Sequence, residues 1–82
     1  MFKARTADGR NNIAGIKIKE LRKALRISQR ELADRLQVVG LDIDKNAVQR
    51  IESGDRFVTD IEITSLSRCL NVPINVLLNI EL

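Results

Sequence analysis

The chain contains no histidine, tryptophan or tyrosine, and only two phenylalanines, one cysteine, one proline and one methionine. Without histidine, and with Cys69 as the single thiol, it cannot assemble a Ser/His/Asp or Cys/His triad, a Cys/His zinc cluster or a paired-thiol redox site. The lack of Trp and Tyr removes the usual platforms on which single-stranded RNA bases stack. No segment approaches the roughly 20 apolar residues that span a bilayer, and no basic start leads into an apolar run of signal length. These absences predict a cytoplasmic, soluble protein with no membrane role, no metal and no cofactor. What remains is 82 residues, 44% of them hydrophobic, enough for one domain around an aliphatic core of Ile, Leu and Val.

The formal charge is +3, and it is unevenly spread. Residues 1–35 hold ten Lys/Arg against four Asp/Glu, whereas residues 36–82 hold four against seven. A positive first half suits a face that meets a polyanion, although exposed basic helices are also commonly just solvated.

Residues 1–12 carry Lys3, Arg5, Gly9 and Arg10 with little apolar periodicity, and are expected to form a flexible basic arm ahead of a domain at 13–82. From Ile13 onward, Ala14, Ile18, Leu21 and Leu25 recur at the spacing of an amphipathic helix. Ser28-Gln29-Arg30-Glu31 reads as a capping box that starts a second helix through Leu32, Ala33, Leu36 and Val39, with Gly40 free to adopt the left-handed conformation that ends it. Asp44 caps a third helix that turns Val48 and Ile51 inward and stops at Gly54. Thr59 with Glu62 forms another box, opening a fourth helix that buries Ile63, Leu66 and Leu70, and Pro73 opens a short fifth through Val76 and Leu77. No period-two segment flanked by hairpin turns occurs, so the predicted fold class is all-α with five helices.

Two helices joined by a turn, the second exposing polar side chains, is the arrangement by which a helix enters the major groove. The outward residues of the third helix are Lys45, Asn46, Gln49 and Arg50. Arg or Lys can donate to guanine O6 and N7, while Asn or Gln can pair with adenine N6 and N7. The same four residues also suit an ordinary solvated helix face.

The tract Ile-Ser-Gln-Arg-Glu-Leu-Ala-Asp-Arg-Leu at 27–36, followed by Val-Gln-Arg-Ile-Glu-Ser-Gly at 48–54, resembles the Cro/C1-type helix-turn-helix family of bacterial and phage regulators. The resemblance covers about Ala14 to Leu78. It implies a lambda-repressor-like domain that binds a double-stranded DNA operator as a homodimer and regulates transcription, with no enzymatic activity. It carries base contact over to Lys45, Asn46, Gln49 and Arg50, and also to Gln29. Phosphate contact is expected at Ser28, Arg30, Ser53, Arg56 and, from the arm, Arg10. Ser28 has two compatible roles, since a helix N-terminus itself presents amides to anions. Arg22 and Glu52 match a family ion pair that links the first helix to the end of the third.

The chain departs from the family in the connection between the second and third helices. The stretch Val38-Val39-Gly40-Leu41-Asp42-Ile43 makes this link longer than usual, and Val39, Leu41 and Ile43 suggest that it is packed, as an added turn of helix followed by an extended segment. The apolar end, residues 76–82, reads equally as a dimer surface or as the outer wall of the core. Cys69 reads as a small buried thiol. The rival function is a protein-interaction module, such as an antitoxin or adaptor holding a protein partner with DNA binding secondary.

Overall fold

A computed structural model describes residues 5–81, and in it the caps read from the sequence set the helix boundaries. The elements are α1 (Gly15–Ala24), α2 (Gln29–Val38), α3 (Lys45–Ser53), α4 (Asp60–Leu70) and α5 (Ile74–Leu78), with no strand among the described residues. The Ser28 hydroxyl accepts from the Glu31 amide, the Asp44 carboxylate from the Ala47 amide, and Thr59 with Glu62 closes a full capping box. These caps satisfy amides that the first helical turn leaves without partners.

At the N-terminus of α2 the box is only half made. The Glu31 carboxylate accepts from Arg35 at 3.0 Å, one turn along the same helix, instead of folding back to the Ser28 amide. Gly40, at φ +95°, ends α2. The Gly40 amide donates to the Gln37 carbonyl at 3.0 Å and the Leu41 amide to the Leu36 carbonyl at 2.9 Å, the paired bonds of a Schellman motif.

The long link to α3 is therefore not an added helical turn. It is a non-helical segment with a tight turn at Asp42, where the Ile43 amide donates to the Leu41 carbonyl at 3.0 Å, and it is held where the Gln37 side-chain amide donates to the Ile43 carbonyl. Ile43 is buried and Leu41 packs against the core, but Val39 is exposed and Val38 almost wholly so.

Ile18, Leu32, Leu36, Val48, Ile51, Leu66 and Leu77 form the fully buried centre. Leu25, although in phase with Ile18 and Leu21, lies 47% exposed because α1 stops at Ala24 and the chain turns at Arg26, which takes φ +59°. α1 and α2 both pack against α3, while α4 packs on α1 and α2 and α5 on α1 and α4. α3 is thus supported from behind with one face left to solvent.

Residues 10–12 do not stand apart as the tip of an arm. Arg10, Asn11 and Asn12 bond to the end of α3 and the loop after it, and Asn12 is buried. Lys3, the first basic residue of the expected arm, lies outside the described residues, as does Leu82 at the apolar end.

Candidate nucleic-acid interface

α3 places Val48 and Ile51 in the core, each 1% exposed, and the 3.6-residue period then turns Lys45, Asn46, Gln49 and Arg50 to solvent. None of these four side chains makes a hydrogen bond or ion pair among the described residues. Their donors are uncommitted, which sets them apart from most of the other cations near the helix. Arg30, also exposed, lines a cleft between α2 and α3 together with Lys45 and Asn46.

Behind this face, Arg22 of α1 meets Glu52 of α3 in a two-point ion pair. The Arg22 Nε donates to Glu52 Oε2 at 2.7 Å and Nη2 to Oε1 at 3.1 Å, with both residues buried. Nη1 donates to the Ile27 carbonyl at 2.9 Å, so the guanidinium also holds the turn between α1 and α2. This two-point bonding raises the Arg22 pKa. Gln29 completes the cluster, its amide donating to Glu52 Oε1 at 3.1 Å. Gln29 therefore sits half-buried at the junction of α2 and α3, with one donor turned inward.

The expected phosphate contacts divide. Ser28 is exposed and caps α2; Ser53 is exposed, its hydroxyl donating to the Arg50 carbonyl at 3.1 Å. Arg56 and Arg10 are also bonded within the chain. Arg56 Nη1 and Nη2 donate to the two Glu62 oxygens at 2.9 and 2.8 Å, fastening the loop after α3 to the start of α4. The guanidinium of Arg10 faces the carbonyls of Ile51, Glu52 and Ser53. Arg56 keeps its Nε hydrogen and Arg10 one Nη1 hydrogen outside these bonds, so a phosphate contact from either would have to be made beside its bonds inside the chain. Sequence reasoning missed both placements: Glu62 was read only as a cap, and nothing in the sequence marks a backbone carbonyl as an acceptor for Arg10.

Hydrogen bonding from Arg56, aided by the Thr59 amide, holds the Glu62 carboxyl below its ordinary value of 4.5 against the upward push of burial. A carboxyl depressed in the folded state stabilises the fold above its unfolded pKa, and that contribution fades as pH falls through the folded value. The stability difference between wild type and Glu62→Gln should therefore be full near neutral pH and shrink on acidification below 4.5, as read by urea denaturation at a series of pH values. A difference that stays constant into acid would show that the charge on Glu62 does not matter. Burial pushes the half-buried Cys69 thiol upward, which keeps it protonated and unreactive.

No helix among the described residues is long and apolar enough to cross a membrane, and none of their His, Cys, Asp and Glu side chains group as a metal site.

The helix-turn-helix family model matches residues 18–77. Among solved structures, the chain is similar to the restriction-modification controller protein C.AhdI from Aeromonas hydrophila. The identity is 30% and the TM-score 0.68, over 78% of this chain and 86% of that one. It is also similar to the P22 c2 repressor, solved with a synthetic operator, at 22% identity and a TM-score of 0.69, covering 82% and 94% of the two chains. A hypothetical transcription factor, NHTF, from Neisseria superposes with a TM-score of 0.72 at 18% identity, over 94% and 88%. The last two likenesses speak to the fold alone. A search of curated proteins returns no match.

Proposed function

This chain belongs to the Cro/C1-type helix-turn-helix family of DNA-binding regulators, and from that premise we propose that it controls transcription by occupying a specific operator, α3 reading bases from the major groove. The observation that carries the reading is the contrast among the polar side chains around α3. Arg10, Arg22 and Arg56 each bond to groups inside the molecule, whereas Lys45, Asn46, Gln49 and Arg50 make no such bond and stand open on one buttressed face. Ser28, Ser53 and Arg30 flank that face and are the groups suited to phosphates. Gln29 can turn its remaining amide hydrogen and oxygen toward DNA while staying bonded to Glu52.

A homodimer is part of this reading. Val76 and Ile80 line one groove with Lys17 and Asn79, and Ile13 and Ile16 line its neighbour with the same two residues. Ile13, Ile16 and Ile80 are about half exposed, giving an apolar surface for a second copy away from α3; Leu77 is fully buried and belongs to the core instead. A twofold pair would place half-sites about 34 Å apart.

The test is selection of duplexes from a random pool, followed by titration of a selected and a mixed-sequence duplex at one salt concentration. Specific reading predicts an affinity gap between them. Gln49→Ala should lower affinity for the selected duplex by about 1–3 kcal/mol and leave the mixed-sequence duplex nearly unaffected, since it removes a base contact and no charge. Equal affinity of the wild-type protein for both duplexes would reject the operator reading in favour of a module that holds a protein partner.

A further inference from the structure

Residues 10–12 treat the end of α3 in an unusual way. Between them they donate to six consecutive carbonyls, those of residues 51–56. Arg10 Nη2 donates to Glu52 at 2.9 Å and, at a longer 3.5 Å, to Ile51, while Nη1 donates to Ser53 at 3.1 Å. The Asn11 backbone amide donates to Gly54 at 2.8 Å and its side chain to Asp55 at 3.0 Å. Asn12 donates to Ile51 at 3.0 Å and to Arg56 at 2.7 Å, and its side-chain oxygen accepts from the Gly15 amide at 2.8 Å, tying the start of α1 into the same knot. The carbonyls of Glu52 and Ser53 are among those that a helix end leaves without partners, and those of Asp55 and Arg56 belong to the loop after it; a cation there meets the negative pole of the helix dipole.

The site is shaped for the guanidinium. A Cβ on Gly54 would stand 2.8 Å from Arg10 Cζ, and one on Gly15 would stand 2.6 Å from Arg10 Nη2, so the two glycines leave the room that Arg10 fills.

We propose that residues 10–12 are a strap, with Arg10 its positioning residue, that sets the tilt of α3 and thereby the sequence specificity of the DNA-reading face without touching DNA. The inference rests on the operator reading above. Side-chain clamps on α3 itself sit near its C-terminal end, the strap on its carbonyls and Arg22 on the Glu52 side chain, while Val48 packs its middle into the core, Gln37 holds Ile43 just ahead of it, and Lys45 and Asn46 project from the opposite end. Nine residues extend about 13 Å, so a tilt of roughly 5° at the clamp moves the far end by about 1 Å. That shift is enough to carry a side-chain donor out of hydrogen-bond range of a base edge.

The experiment compares wild type, Arg10→Met and Arg10→Lys, each as the full chain, on a duplex selected with the wild-type protein and on a mixed-sequence duplex, across a salt series. Arg10→Met should narrow the affinity gap between the duplexes by about tenfold. Arg10→Lys should narrow it too, because one ammonium cannot bond the carbonyls that the guanidinium fork spans. Both should keep the wild-type salt slope. Simple destabilisation would lower affinity for both duplexes alike and leave the gap intact.

A gap in either variant equal to that of wild type overturns the strap. So does a salt slope shallower by about 0.9 in Arg10→Met, which would make Arg10 a phosphate contact. If Arg10→Met does not fold, Arg10→Lys carries the same two criteria. A wild-type protein with no gap rejects the operator reading itself, and with it anything for the strap to aim; a wild-type gap that survives substitution of Arg10 rejects the strap alone.

Discussion

Replacing Glu52 by alanine should cost about 3–5 kcal/mol, the penalty for leaving a buried guanidinium without its counter-charge. Small domains have total stabilities of order 5–15 kcal/mol, and this one draws on a single aliphatic core, so Glu52→Ala should lose a large share of its stability and unfold at a much lower urea midpoint. The loss is large because Arg22 cannot escape to water: Nη1 is held by the Ile27 carbonyl and the side chain lies between α1 and α3. Removing both charges should be far milder. Arg22→Met combined with Glu52→Leu restores apolar packing and leaves no orphaned ion, so urea denaturation should find the double variant more stable than Glu52→Ala.

The Glu31–Arg35 pair supplies the contrast. Its side chains are 50% and 46% exposed, and Glu31→Ala should change stability by no more than about 0.5 kcal/mol. If Glu52→Ala proved as mild as Glu31→Ala, the Arg22 pair would be solvated in solution and could not be what locks α3 to α1.

Much of this architecture was legible in the sequence because it is local. The capping residues Ser28, Asp44 and Thr59 act on amides three residues away, and Gly40 and Gly54 adopt the left-handed turns their positions called for. The polar face of α3 followed from the phase of Val48 and Ile51. Glu31 shows where local reasoning becomes degenerate: the same carboxylate can reach back to an amide or forward to Arg35, and the sequence does not rank the two.

Leu25 kept the right phase on a helix that ended one residue too soon to use it. The strap was illegible for a different reason. Its acceptors are backbone carbonyls, which every residue possesses, brought to Arg10 across about forty positions of chain by the packing of α1 on α3. A run of Arg-Asn-Asn carries donors, but their destination exists only once the helices are assembled.

Gly15→Ala probes that assembly where it is tightest and should lower stability by about 3 kcal/mol. On helix propensity alone alanine would gain up to about 1 kcal/mol, and less at the first turn, where Gly15 sits. Packing reverses the sign. The added Cβ would fall 2.1 Å from the Ile51 carbonyl oxygen, 2.6 Å from Arg10 Nη2 and 2.8 Å from Asn12 Oδ1.

The nearest of these is backbone in the last turn of α3, so no side-chain rotation relieves it; α1 must back away from α3, at an overpacking cost that commonly runs to about 1–3 kcal/mol and here should exceed it before the propensity gain is subtracted. Gly40→Ala is the control. Its Cβ would meet nothing within 4 Å, leaving only the left-handed backbone at φ +95° to oppose it, at about 1–2 kcal/mol. Urea midpoints should therefore fall further for Gly15→Ala than for Gly40→Ala. Only the former should also narrow the gap between selected and mixed-sequence duplexes, because only it displaces the helix that Arg10 holds. An alanine at position 15 as stable as wild type would mean that α1 and α3 do not approach so closely in solution, and that the strap has no seat.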